Sequence, residues 1–313
     1  MSAHHPDVER TDQLSPAEVA AVFRLAGAAG DADGAYPLSE HTALHLRHGG
    51  DRPAVHLLIR DGADIAGYAH VDTTDAVDGA AAELVVHPLR RRHGFGRALV
   101  TAAIAVATER DPAGRLRLWS HGDHPSASAL ALSLGFTRVR ALWQMRRSLH
   151  TPVPEPVVAD GVALRAFRPG ADDEAWLSVN ARAFAHHPEQ GRWTHDDLRT
   201  RMAEPWFDPA GFLLAVNVAD DALLGFHWTK VHGARDGHQH DALGEVYVLG
   251  VDPAAQGMGL GRTLTLAGLR HLREQGLSQV MLYVDEANHA ATTLYTALGF
   301  ARWATDVSYS RDR

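Results

Sequence analysis

The sequence predicts an α+β fold of two tandem domains, each a mixed, mainly antiparallel sheet flanked by helices. Three observations carry this expectation. Two blocks recur in the same order at nearly the same spacing. Within each copy, helical and strand-like segments follow one pattern. The chain has 313 residues, which is long for one core and comfortable for two.

The repeat is read from glycines and prolines. Gly94 matches Gly259, Gly96 matches Gly261 and Pro88 matches Pro253, each 165 residues apart. Downstream, "SASALALSLGFTR" (126–138) matches "AATTLYTALGFAR" (290–302), with Phe136 and Phe300 164 apart. A period this long marks a duplicated domain rather than a solenoid. Between the copies, "HTPVPEPVVADG" (150–161) has the prolines of a stiff linker. The domains are accordingly read as 1–150 and 161–313, with 151–160 as linker.

Each copy opens on a helical region, "SPAEVAAVFRLAGAA" with Ser15 as N-cap before Pro16, and "ADDEAWLSVNARAFAH". Two hairpins follow: "AVHLLIR" and "IAGYAHV" across the turn "DGAD", then "GFLLAVNV" and "LLGFHWTKV" across "ADDA". Next come a strand ending at a glycine loop and a long apolar helix (96–110 and 261–275). A further strand ("RLRLWS", "QVMLYVD"), a short helix and "LGF" before a last strand close each copy.

Composition narrows the function. Apolar residues at 45% and charged residues at 22% suit an ordinary globular protein. A net charge of −8 disfavours nucleic acid as a partner. The opening "MSAHHPDVER" has no apolar core or basic leader, so no signal peptide is expected. The longest apolar run, "ALVTAAIAVAT" (98–108), is too short for a membrane span. The absence of cysteine excludes disulfides, thiolate nucleophiles and cysteine-ligated zinc. The expectation is a cytoplasmic monomer with no membrane or nucleic-acid partner.

Both glycine loops, "RRHGFG" (91–96) and "QGMGLG" (256–261), fit Q/R-x-x-G-x-G. The first N–H groups of a helix have no intrahelical partner, and the dipole there is positive, so phosphate is a natural guest. Glycine allows close approach and unusual φ, and Arg97 and Arg262 add charge. The loops come too late in each copy for a dinucleotide fingerprint, and the lysine of a P-loop is missing. A tight turn without a ligand is the alternative, stronger for the first copy.

With the strand before the loop, the loop itself and "NHAATTLYTALGF" (288–300), the chain resembles the GNAT acetyltransferase superfamily. The resemblance implies that the loop holds the pyrophosphate of acetyl-CoA and that the preceding strand splays to receive the pantetheine arm. In copy two it implies cofactor contacts from Leu249, Gly250, Val251, Gln256, Gly257, Met258, Gly259, Leu260, Gly261 and Arg262. Asn288, His289, Ala290, Ala291, Thr292 and Thr293 would stand on the far side. In copy one the matching residues are Leu84, Val85, Val86, Arg92, His93, Gly94, Phe95, Gly96 and Arg97.

Making an amide from a thioester needs a base for the amine and an acid for the departing thiolate. Copy two offers Glu245 and Tyr295. A solvated strand-edge carboxylate and a packing aromatic are the bland readings, but copy one has Ala131 where Tyr295 stands and His124 where Asn288 stands. Copy two is therefore read as catalytic. Copy one is read as a degenerate domain whose intact loop is compatible with acetyl-CoA.

The whole-chain likeness, carried by "AFAHHPEQGRWT", "WFDPAGFLLAV" and the copy-two loop region, implies a small-molecule acceptor, a polyhydroxylated pseudo-disaccharide bearing an amine. Glu40, Glu189, Lys230, Glu245 and Tyr283 would contact it in a cleft between the copies. An aminoglycoside or protein N-terminus as acceptor, or a non-catalytic acyl-CoA sensor, are the rival readings. His232, His238 and His240 could suggest zinc, but they sit in a glycine-rich stretch without helical spacing. They are read as a flexible loop over the substrate, and no metal is expected.

Overall fold

The computed structural model describes residues 6–49, 54–75, 78–233 and 242–312, with backbone only at 188 and 189. The elements run β1 (Glu9–Thr11), α1 (Pro16–Asp33), α2 (Glu40–His48), β2 (Ala54–Asp61), β3 (Asp64–Asp72), β4 (Ala80–Val86), α3 (Phe95–Arg110), β5 (Leu116–Ser120), α4 (Pro125–Ser133) and β6 (Thr137–Ser148). They continue with β7 (Val162–Ala166), α5 (Asp173–Ala183), α6 (Pro188–Gly191), α7 (His195–Met202), β8 (Phe212–Asn217), β9 (Leu223–His232), β10 (Leu243–Val251), α8 (Leu260–Glu274), β11 (Gln279–Asp285), α9 (His289–Ala297) and β12 (Ala301–Arg311).

Contacts group the chain into two units. Unit 1 is Met1–Trp143, Asp285–Ala287 and Ala304–Arg313; unit 2 is Gln144–Val284 and Asn288–Trp303. The sequence-read boundaries at 150 and 161 follow the repeat in chain order. Grouping by contact instead counts most of β12 with unit 1 and the end of β6 with unit 2.

In unit 1 the sheet order is β1-β2-β3-β4-β5-β12. The β2/β3 hairpin, β3/β4 and β12/β5 pairs are antiparallel, and β4/β5 is parallel. Helix α1 starts where expected. Ser15 caps it in a reciprocal capping box with Glu18, Pro16 takes the first turn, and Gly34 closes it at φ 71°. Helix α2, absent from the sequence reading, is set by Ser39 as N-cap and Gly49 as left-handed C-cap. Leu57, Ile59, Leu99, Ala103, Leu116, Phe136, Val307 and Tyr309 share one core cluster, so β12 supplies part of unit 1's interior.

In unit 2 the order is β6-β11-β10-β9-β8-β7. The β7/β8, β8/β9 and β9/β10 pairs are antiparallel and β10/β11 is parallel. Its core is aromatic: Trp228 stacks on Phe212 at 4.4 Å and meets Trp176 edge-on at 5.9 Å. Among the described residues no helix is long and apolar enough to cross a membrane.

Candidate functional site

In unit 2, β10 pairs with β9 along its length but with β11 only over Gly244–Val246. Past Val246 the parallel strands part, so the edge carrying Leu249, Gly250 and Val251 opens on that side. A register shift between Val246 and Val248 places a bulge at Tyr247. The strand then enters a short turn in which Asp252 accepts from the Ala254 N–H at 2.9 Å and is gripped by Arg182, Nε to Oδ2 3.0 Å.

The loop that follows runs from Gln256 to Arg262. Gly257 and Gly259 lie at φ 86° and 75°, backbone that a side chain resists, while a Cβ at either would meet nothing within 4 Å. Conformation, not crowding, demands these glycines. Gly259 caps α8 with no side-chain bond, and the first intrahelical bond is made by Thr263 N–H to the Gly259 carbonyl at 3.1 Å. The N–H groups of Leu260, Gly261 and Arg262 therefore have no partner within the helix. With the unfilled space before the glycines, this is a backbone cradle suited to a pyrophosphate. Gly261 also brings α9 close: its Cβ would stand 3.6 Å from Leu294.

Glu245 lies on the paired part of β10, 7% exposed. Its Oε2 is 2.6 Å from His232 Nε2. The ladder shows what copy one has in its place. Glu245 is the middle of three parallel pairs, opposite Met281, and Ala81 is the middle of three in unit 1, opposite Arg117. Copy one thus carries alanine at the Glu245 position as well as at the Tyr295 position. Tyr295 is buried on α9, packs edge-on against Phe300 at 5.7 Å, and is pushed up to about 12 by burial.

Lys230 faces Glu245 across β9/β10, with its Nζ 4.5 Å from the Trp206 ring and 5.1 Å from Tyr247. Tyr283, on β11, is 44% exposed, and its hydroxyl accepts from Gln144 Nε2 at 2.9 Å. Asn288 is the N-cap of α9, its Oδ1 accepting from the Ala291 N–H at 3.1 Å. Ahead of His289, Ala290, Thr292 and Thr293, its side chain shapes the helix start. In copy one His124 caps α4, its Nδ1 accepting from the Ser126 N–H at 3.2 Å. Glu40 belongs to unit 1, at the first turn of α2. The side chain of Glu189 lies outside the described residues, as do His238 and His240. His232 corrects the reading of a flexible loop, because it is the last residue of β9. The sequence reading missed its bond to Glu245, since 13 residues separate them and only the hairpin register joins them.

Unit 1 repeats the splay: β4 pairs with β5 over Ala80–Ala82 alone. A cleft of about 540 Å³ opens there, lined by Leu84, Val85, Val86, Arg92, Gly94, Phe95, Gly96 and Arg97, a size usual for a ligand site. His93 is not in the lining; its Nδ1 bonds back to the Arg91 carbonyl at 2.8 Å. Arg91 is held by Asp33 through two bonds of 2.7 Å. Ala131, His124 and His121 also line the cleft. Burial alone would push His121 down, but its 2.9 Å bond to Asp306 and the Glu83 carboxylate at 3.8 Å hold it up at about 10.

The model of the Acetyltransferase (GNAT) family matches residues 24–136 and 176–300. A mycothiol acetyltransferase of Salinispora arenicola is 59% identical, covering 99% of this chain and 100% of that protein. One of Streptosporangium roseum is 54% identical over 97% and 99%. Among solved structures, a GCN5-related N-acetyltransferase from Sphaerobacter thermophilus has a TM-score of 0.70 at 25% identity, covering 97% of this chain and 95% of that one. A tandem GNAT protein from the clavulanic acid biosynthesis pathway has a TM-score of 0.76 at 22% identity and 98% coverage of both.

Proposed function

The chain belongs to the acetyltransferase (GNAT) family, and on that premise we propose that it transfers acetyl from acetyl-CoA to the cysteinyl amine of cysteinyl-glucosaminyl-inositol, forming mycothiol. The observation that carries the acceptor is the 59% identity, end to end, with a protein named for that product.

The residues fit the donor. The positive-φ glycines and the unpartnered N–H groups at α8 suit its pyrophosphate, and the parted β10/β11 edge suits an extended arm. Bound there, acetyl-CoA supplies an activated acetyl thioester. Glu245 takes a proton from the attacking ammonium. The amine nitrogen would bond to the thioester carbonyl carbon as the carbon–sulfur bond breaks; Tyr295 would give the leaving sulfur its proton, and the second proton that the nitrogen sheds on becoming an amide would restore the tyrosine hydroxyl. Burial keeps the Tyr295 hydroxyl protonated across neutral pH, so the donor hydrogen is in place when the thiolate leaves. Lys230, Tyr283 and Glu189 serve the polar acceptor. Unit 2 performs the transfer. Unit 1, with Ala81 and Ala131 in the two catalytic places, binds acetyl-CoA in its cleft without turnover. The chain works as a cytoplasmic monomer with no nucleic-acid or membrane partner.

The test is a mass-spectrometric assay of purified protein with acetyl-CoA and cysteinyl-glucosaminyl-inositol, with Glu245→Gln and Tyr295→Phe alongside. N-acetylated product from wild type, strongly reduced in both variants, is expected. No product, with acetyl-CoA still bound, would move the acceptor to another amine such as an aminoglycoside.

A further inference from the structure

Unit 1 holds a cluster of chemistry that acetyl transfer does not use. His56 on β2 and His70 on β3 are direct cross-strand partners, so their side chains leave the same face of the sheet. His45 reaches them from α2. The ring centroids are 5.8 Å apart for His45–His56, 5.0 Å for His45–His70 and 5.5 Å for His56–His70. One ring nitrogen from each lies within 4.8 Å of the other two, the single such group of metal-type side chains among the described residues.

A second observation makes the cluster more than a crowd of rings. His70 is 2% exposed, and neither of its ring nitrogens has a hydrogen-bond partner among the described residues. A buried polar atom left so costs about 1–3 kcal/mol, and buried polar groups as a rule find a partner in protein, water or an ion. His56 is prepared differently. Its Nδ1 is 2.8 Å from the Tyr68 hydroxyl, an outer bond that fixes the ring and leaves Nε2 to face a metal.

We propose that His45, His56 and His70 bind one divalent transition metal ion of the zinc class. Three neutral imidazoles suit zinc, cobalt, nickel or copper, whereas magnesium and calcium want oxygen. Two carboxylates stand nearby, each also facing a histidine outside the cluster. Glu83 lies opposite His70 on the next strand, and Asp72, paired with His41 at 3.5 Å, stands two residues along β3. Bond lengths of about 2.0–2.1 Å in a tetrahedron place ligand nitrogens roughly 3.3 Å apart. Closing from within 4.8 Å to that spacing would draw the nitrogens inward by up to about 1.5 Å, with His45, the half-buried member, the least confined. Three protein ligands leave a fourth position for water. A metal here would fasten α2 to the β2/β3 hairpin.

The test uses the full chain with any purification tag removed, stripped by chelator and titrated with Co²⁺ as a visible probe. One saturable equivalent with the intense absorption of four-coordinate cobalt is expected, displaced by Zn²⁺, and Zn²⁺ should raise the thermal midpoint of wild type. His45→Gln, at the most accessible ligand, should keep the circular-dichroism spectrum of wild type and lose the saturable equivalent. His70→Gln should lose it too, and if that variant does not fold, His45→Gln decides. Wild type without a saturable equivalent, or an equivalent that survives in His45→Gln, would overturn the site.

Discussion

Replacing Glu245 by Gln keeps the shape of the side chain and its contact with His232 but removes the basic oxygen. kcat/KM is expected to fall about 10²–10⁴-fold, while acetyl-CoA binding measured by calorimetry stays within twofold. His232→Gln leaves the base in place and should cost less, because its effect passes through the 2.6 Å bond that positions Glu245. A buried and a half-buried histidine set opposite pH limbs of stability. His227 donates from Nδ1 to the Leu264 carbonyl at 2.8 Å, and burial pushes it down to about 4. Against an unfolded value of about 6.5, its contribution is intact above pH 6.5 and lost as pH falls toward 4. His121, raised to about 10, contributes fully below pH 6.5 and loses its contribution as pH rises through 10. Denaturation midpoints should fall on both sides of pH 6.5. His227→Gln should flatten the acid limb of unit 2, and His121→Gln the alkaline limb of unit 1. Equal slopes in wild type and variants would refute this.

At the scale of elements, α8 lies on β9 through one glycine. A Cβ at Gly268 would run into the His227 ring, so Gly268→Ala is expected to destabilise by about 1–3 kcal/mol, read as a lower urea midpoint with unchanged slope. Gly259→Ala acts differently. Its φ of 75° opposes any side chain, and the strain falls on the cradle, so weaker acetyl-CoA binding should accompany about 1 kcal/mol of lost stability. The long helices, both hairpins and the Ser15 cap were legible because period, turn residues and capping chemistry are local. Helix α2 was not: its nine residues carry three histidines and only two leucines, so its apolar stripe is faint beside its caps. Both glycine loops were legible from spacing and charge. The alanine opposite Arg117 that answers to Glu245 was not, because the bulge at Tyr247 adds a residue to β10 and shifts any ungapped comparison of the copies.

On the scale of the whole chain, the repeat was visible but the fate of its last strand was not. Strand pairing is a choice among edges, and nothing in the residues 304–313 says which edge they take. They pair with β5 from Val307↔Ser120 to Arg311↔Leu116 and bury Val307 and Tyr309. Deleting residues 304–313 should therefore unfold unit 1 and spare unit 2, whose residues end at Trp303. Those two side chains alone are worth about 3–6 kcal/mol, a large part of the 5–15 kcal/mol that roughly holds a domain together. Calorimetry should lose one transition, and hydrogen exchange should lose protection in β2–β5 alone.

The same strand reverses the usual order of events on the ribosome. Domains ordinarily fold in the sequence in which they emerge. Here residues 304–313 are synthesised after every residue of unit 2, so the half of the protein that is born first is finished last. Until then the nascent chain must carry an open β5 edge and a half-built core, a place where a chaperone has something to hold.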